Sequence, residues 1–250
     1  MARRTSDVSV LPPGLEIRYG ALEDSHLNLE GIDTLVYCAS MGFGHVPHLV
    51  SQLERAGVRR AVFVSTTAVF TSLPSASRAV RLAAETAVTE SGLQWTILRP
   101  TMIYGTGRDR NISRLLRFLK RWPVFPLCGN AWWQPVHVED LADGVVRALD
   151  SPSAVGRVYN LAGARPLRFA DLIRAGGRAV GRRNVHLVRV PLEPAVLAAR
   201  LTRLVTPEQV RRLAEDKVFD ITNAVCDFAF APRTFDQGVA DEARILGLAR

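Results

Sequence analysis

Short apolar runs rich in β-branched residues alternate along this sequence with longer segments whose apolar residues recur at helical spacing. The runs expected as strands are 15–20, 33–39, 60–66, 93–98, 156–161 and 185–190. The segments expected as helices are 46–56, 78–90, 112–121, 138–149, 169–180, 193–204, 207–215 and 237–246. Strands that are apolar throughout, each followed by an amphipathic helix, call for a parallel sheet covered on both faces. The expected class is therefore α/β, a parallel sheet with helices on both faces. The pattern is regular to about Asp150. After Ser151-Pro152 it shifts toward helices and becomes crowded with arginine. Two regions follow: a regular α/β domain over 1–150, and a smaller, mostly helical C-terminal lobe over 151–250 to which parts of 105–135 contribute.

With 48% hydrophobic residues among 250, the chain can bury a sizeable core, which argues against wholesale disorder. No apolar run approaches the roughly 20 residues that a membrane span needs. The opening MARRTSDVSVLPPG has charge but no apolar stretch of the secretory kind. Cys38, Cys128 and Cys226 are odd in number and far apart, suggesting neither a disulfide framework nor a zinc site, and we expect no metal and a reducing, cytoplasmic setting. The formal charge is +8, and of 32 basic residues only Lys120 and Lys217 are lysine. An arginine excess reads either as genome composition or as a surface for anions.

Two helix starts have a local cause: a polar Ser-Ala-Ser at 75–77 ahead of an apolar helical face, and Thr206-Pro207-Glu208, a cap followed by proline and an early acid. Chemistry concentrates at strand ends. The run Ala61-Val-Phe-Val-Ser-Thr-Thr ends in Ser65, Thr66 and Thr67. In open α/β sheets ligands bind beyond the carboxyl ends of the strands, where hydroxyls can meet a carbonyl or alcohol. They can equally satisfy loop backbone. A second strand ends in Leu98-Arg99-Pro100, followed by Ile103-Tyr104-Gly105. Then His137-Val-Glu-Asp140-Leu-Ala142 leads from a short strand into a helix with acids in its first turn.

In order and spacing, these motifs resemble those of the extended and atypical short-chain dehydrogenase/reductases, the NAD-dependent epimerase/dehydratase family, from about Leu11 to the end. Arg157-Val-Tyr-Asn-Leu-Ala-Gly163 and Pro232-Arg-Thr-Phe-Asp-Gln-Gly238 are similar to later landmarks of that family. The resemblance implies a Rossmann-type doubly wound parallel sheet, an NAD(P)-binding-type domain over 1–150, NAD or NADP as cofactor, a small-molecule substrate such as a nucleotide sugar, and an oxidoreductase activity. It implies cofactor contacts at Ala39, Ser40, Ser65, Arg99 and Pro100, and substrate contacts at Thr101, Tyr104, Arg110 and Arg114. Thr66 matches the family's catalytic Ser/Thr. Helix 78–90 corresponds to a face that many members use to form homodimers.

The sequence departs from this family in three places. No G-x-x-G-x-x-G loop, which would hold a pyrophosphate on backbone N–H groups and a helix N-terminus, precedes Leu15. The first strand and helix, most of a unit of about 30 residues, have no counterpart. We expect that the chain starts further upstream; alternatives are a sheet closed by new pairing or a gap filled by another chain. Second, Gly20-Ala21-Leu22 stands where the family often has Gly-Asp-Leu near the adenine. Third, the catalytic Tyr-x-x-x-Lys pair falls on Ser77 and Arg81. Tyr19, Tyr37, Tyr104 and Tyr159 are followed four residues on by Glu23, Met41, Arg108 and Gly163, so the chain contains no such pair. A serine does not titrate near neutrality, and arginine keeps its proton.

The remaining candidates divide between function and packing. Residues 108–121 hold six basic side chains against Asp109, interleaved with apolar ones. Such a helix can clamp a diphosphate, rest on an anionic membrane, or present a solvated face. His137 reads as structural. His45 and His48 lack further metal ligands. Trp132 and Trp133 line a pocket or pack, Cys38 is expected to be a core thiol on its strand, and Gly42–Gly44 is a weak ligand signal. Three functions follow: an NAD(P)-dependent epimerase/dehydratase with doubtful proton transfer; a non-catalytic dinucleotide-binding sensor or assembly subunit; and a basic peripheral membrane protein, with nucleic acid the less favoured partner.

Overall fold

The computed structural model describes residues 8–9, 11–22, 24, 27–72, 76–191, 193–194 and 214–249. The expected helices 193–204 and 207–215, with the Thr206-Pro207 start, lie largely outside them. The central sheet has four strands: β1 (Thr34–Tyr37), β2 (Arg60–Val64), β3 (Gln94–Pro100) and β8 (Arg157–Leu161), in the order β1-β2-β3-β8. β1 and β2 are parallel, with Thr34 opposite Arg60 and Tyr37 opposite Phe63. The α/β expectation holds. The chain forms two compact units, residues 1–65, 75–97 and 155–157, and residues 66–74, 98–154 and 158–250.

In the first unit, α1 (Val46–Arg55) buries Val46, Leu49, Val50 and Leu53, the i, i+3, i+4, i+7 stripe of a helix that covers a core. Pro47 sits in its first turn, where the missing N–H costs nothing. α2 (Ala76–Thr89) packs on α1 and turns Ala84 and Val88 inward. β2 buries Ala61, Val62 and Phe63 in succession, as a strand covered on both faces must.

β1 is the outermost strand of the sheet order, and of its four residues only Tyr37 is buried. This corrects the expectation for Cys38, which lies just past the strand end and is exposed. Residues 15–20 are also not a strand. Tyr19 makes a single bridge, Leu15 and Tyr19 stay exposed, and the segment is held through Arg18, which donates to Glu16, Asn28 O and Glu30 O. Its alternating pattern is that of a strand, but a ladder also needs a neighbour to take its N–H and C=O groups.

In the second unit, α3 (Ile112–Arg121), α5 (Phe169–Ala179) and α7 (Phe235–Ile245) pack on one another around Leu116, Leu119, Leu172, Ile173, Val239 and Ala243. Asp109 Oδ1 accepts from the N–H groups of Asn111, Ile112 and Ser113, closing the start of α3, while Lys120 and Arg121 face its carbonyl end. Three small pairings complete the unit: β4 (Ile103–Tyr104) with β7 (Val136–His137), β5 (Val124–Leu127) with β10 (His186–Arg189), and β6 (Trp132–Trp133) with β9 (Leu167–Arg168). α4 (Val138–Asp150) follows β7 directly, and α6 (Thr222–Phe228) lies near its far end. Among the described residues no helix is long and apolar enough to cross a membrane.

Candidate functional site

The carboxyl end of β1 runs through Cys38 and Ala39 into Ser40, whose hydroxyl accepts from Gly42 N at 3.2 Å and caps a single 3-10 turn, Met41–Phe43. The Arg81 guanidinium of α2 lies against this turn: a Cβ on Gly42 would stand 3.3 Å from it. Gly42 is thus the residue that lets a cation approach the backbone at the strand end. Arg81 Nη1 donates to Ser77 Oγ, one helical turn earlier, at 2.5 Å. Ser40, Gly42, Ser77 and Arg81 therefore form one cluster. Ser65, at the end of β2, donates to Glu85 Oε1 at 2.5 Å, so its hydroxyl straps the strand end to α2.

The remaining strand-end residues belong to the second unit. Thr66 has extended backbone, and its hydroxyl accepts from Ala68 N at 3.2 Å, capping a 3-10 turn, Thr67–Phe70. Thr67 donates to Pro100 O at 3.3 Å, and the Arg99 guanidinium lies 4.9 Å from the Phe70 ring centre. Thr66, Arg99 and Pro100 are thereby fixed around one turn. Thr101 is buried and donates to Gln134 O at 2.6 Å, and Tyr104 is buried in the core. Arg110 and Arg114 are exposed.

The family-like motifs later in the chain meet in one place. Tyr104 and His137 cross edge to face at 5.3 Å, and Tyr104 also contacts Phe235. A Cβ on Gly238 would collide with the Tyr104 hydroxyl. Arg233 reaches Asp140 Oδ1 and Glu139 Oε2, both at 2.8 Å, and Asp241 at 3.1 Å. His137 accepts from Glu139 N through Nδ1, which puts the ring proton on Nε2, a buried atom with no hydrogen-bond partner. Burial, then the Arg233 charge, lower its pKa and keep it neutral. Burial likewise raises the Tyr104 phenol well above its ordinary value. These motifs pack the second unit together. The two tryptophans separate: Trp133 is buried and stacked on Phe169 at 5.1 Å, while Trp132 is partly exposed beneath Arg168.

One cluster escaped the sequence reading. Ser113 Oγ lies 2.6 Å from Asp109 Oδ2 and 2.7 Å from Glu242 Oε1, with Gly105 N donating to Glu242 Oε2 at 3.2 Å. Burial, with the Asp109 hydrogen bond second, pushes Glu242 up to about 8. Burial also acts to raise Asp109, but hydrogen bonds from Glu242, Ser113 and the backbone outweigh it and hold that carboxyl below its usual range. A protonated Glu242 and an ionised Asp109, bridged by one hydroxyl, satisfy the geometry. Nothing in the spacing announces a pair 133 residues apart; the signal was Asp109 itself, an acid ahead of an otherwise basic helix. Among the described residues no group of three His, Cys, Asp or Glu could hold a metal ion.

The family model of NAD(P)H-binding proteins matches residues 1–152. The chain belongs to the NAD(P)H-binding family. Its fold is that of the NAD-dependent epimerases and dehydratases, as the motifs imply. Over 113 residues, 44% of this chain, it is 36% identical to the Arabidopsis thaliana mitochondrial NADH dehydrogenase [ubiquinone] 1 alpha subcomplex subunit 9, covering 28% of that protein. The crystal structure of gox2253 superposes with a TM-score of 0.77 at 20% identity, over 100% of this chain and 91% of that one. The dTDP-glucose 4,6-dehydratase DesIV from Streptomyces venezuelae, solved with NAD bound, gives 0.71 at 19%, over 94% and 80%. The chain spans less than half the length of the NADH dehydrogenase subunits it matches.

The residues present fit part of a dinucleotide. Arg81, held beside Gly42 at the carboxyl end of β1, supplies a fixed cation, and Ser40 a hydroxyl, where such ligands pass in this fold. No glycine-rich turn to cradle a pyrophosphate stands among the described residues.

Proposed function

We propose that this protein is a member of its family that holds a nicotinamide dinucleotide and acts as a binding or assembly subunit, without carrying out proton-coupled hydride chemistry. The observation that carries this reading is the hydrogen bond between Ser77 and Arg81, the two residues on which the resemblance sets the family's Tyr-x-x-x-Lys pair. A general acid or base works best when its pKa lies near the working pH. A serine hydroxyl lies far above that range, and arginine stays protonated throughout it. Arg81 can orient and neutralise a ligand, but the pair has no group that gives and retakes a proton. Three of the curated relatives are named as subunits of NADH dehydrogenase, which favours an assembly role, while another is named as a UDP-glucose 4-epimerase. Several structural neighbours are described with nucleotide sugars and NAD, which is the support for the competing reading of an epimerase or dehydratase.

Isothermal titration of NADPH and of NADH into the full chain tests this. The expected result is saturable binding of at least one of them. It should weaken about ten- to hundredfold in Arg81→Ala, the range for losing one charge-assisted contact, and change little in Ser77→Ala. Absence of binding by either dinucleotide up to millimolar concentration would overturn the proposal.

A further inference from the structure

The second unit carries a surface that the dinucleotide reading does not use. β5 and β10 form a parallel ribbon in which Phe125 pairs with Leu187, Val124 with His186 and Pro126 with Val188. Phe125 and Leu187 turn inward onto the core. Because side chains alternate along a strand, Val124, Pro126, His186 and Val188 share the opposite face. That face is open: Val124 is 43% exposed and Val188 52%.

α3 continues it. Arg114, Arg117, Phe118 and Arg121 stand at i, i+3, i+4 and i+7, a single stripe of the helix, and all four are exposed. Phe118, 38% exposed, meets Phe125 edge to face at 5.5 Å, and Trp122, 52% exposed, leads from the helix into the ribbon with Arg121 over its ring. Arg182 donates to Leu119 O and Lys120 O, fastening the approach to β10 onto the last turn of α3. Trp122, exposed between the last residue of α3 and the start of β5, joins the helix stripe to the ribbon.

Its charge has one sign. Residues 110–127 contain five basic side chains and no acid, and residues 176–191 contain four and no acid. Arg178 is taken by Asp236, and Arg117, Lys120 and Arg182 by backbone carbonyls, which leaves Arg110, Arg114, Arg121, Arg183 and Arg189 around the apolar residues. An exposed tryptophan and aliphatic tips ringed by arginine suit the headgroup boundary of a bilayer, where apolar tips enter the acyl region and cations meet phosphate. Trp122 has a flat face on which a nucleic-acid base could stack, but Val124 and Val188 have none.

We propose that this surface seats the protein on an anionic lipid bilayer. It stands independently of the dinucleotide reading. Co-sedimentation of the full chain with vesicles tests it: phosphatidylcholine alone, against phosphatidylcholine with a third phosphatidylglycerol. The expected result is binding to the anionic vesicles and little to the neutral ones, falling as salt rises. With a loss of about fivefold per surface charge removed, Arg121→Glu with Arg183→Glu should weaken binding well over tenfold. Val124→Ser with Val188→Ser should weaken it at every salt concentration, with thermal melting as the check that both variants fold. Equal binding to both vesicle types, no binding at low salt, or indifference to either double variant would overturn it. So would single-stranded RNA that displaces the vesicles while its own binding ignores Val124→Ser with Val188→Ser.

Discussion

At the scale of single residues, the motif order that resembles the epimerase/dehydratase family comes with other side chains at two of the expected positions. Ser77 and Arg81 stand where tyrosine and lysine are expected, and they hydrogen-bond each other. Thr66 holds its matching position, with its hydroxyl closing a turn. The substitution was legible in the sequence because its test is simple counting: no tyrosine has a lysine four residues on. The partners were not legible. That Ser65 would be tied to Glu85, or that Arg81 would need Gly42 bare, depends on which helix face meets which strand end. The buried Glu242 gives a prediction at this scale. Its folded pKa, raised to about 8, lies above the unfolded carboxylate value, so between the two the native state holds the extra proton. This group's contribution to stability is full below about pH 4.5, falls as pH rises toward 8, and is constant above that. Glu242→Gln keeps a neutral side chain of the same shape. Its urea midpoint should match the parent's in acid, exceed it above pH 8, and lose that slope between.

Among the elements, helices and longer strands followed the sequence closely and the small pairings did not. The expected helix 112–121 is the observed α3, and 46–56 is α1 to within a residue. Their apolar stripes span several turns, so periodicity alone locates them. β6, β7 and β9 have two residues each, too few to show a period, and the seven-residue α6 has one full turn of packing. Only β7 was foreseen, as the short strand before α4. The strand expected over 15–20 failed for the reverse reason, an alternating pattern that among the described residues makes no more than the single bridge at Tyr19. The join of α7 to β4 and β7 supplies an element-scale prediction. Gly238 lets α7 approach the Tyr104 hydroxyl more closely than any side chain permits. Gly238→Ala should cost on the order of 1–3 kcal/mol, the usual range for overpacking a core, read from urea unfolding of the full chain. No loss of stability would show that α7 can shift freely.

For the molecule as a whole, sequence order carried the family and the fold class, because strand–helix alternation and motif order are properties of the entire chain. Composition carried less than it first promised. The arginine excess hints at an anionic partner, yet only the structure separates the arginines spent on carboxylates and carbonyls from those left outward around Trp122 and Val188. The later motifs proved to be the brace of the second unit: Arg233 on Asp140 and Gly238 on Tyr104 account for their residue types by packing alone. Family membership thus rests on scaffold that this chain retains, and the proposed loss of catalysis on the residues at 77 and 81. The most direct test is nicotinamide absorbance with the full chain at stoichiometric concentration, mixed with NAD or NADP and UDP-glucose or dTDP-glucose, followed over hours. The account predicts no reduced nicotinamide and no altered sugar in the quenched mixture, although the dinucleotide binds. Accumulation of reduced cofactor, or conversion of the sugar that Arg81→Ala abolishes, would contradict it.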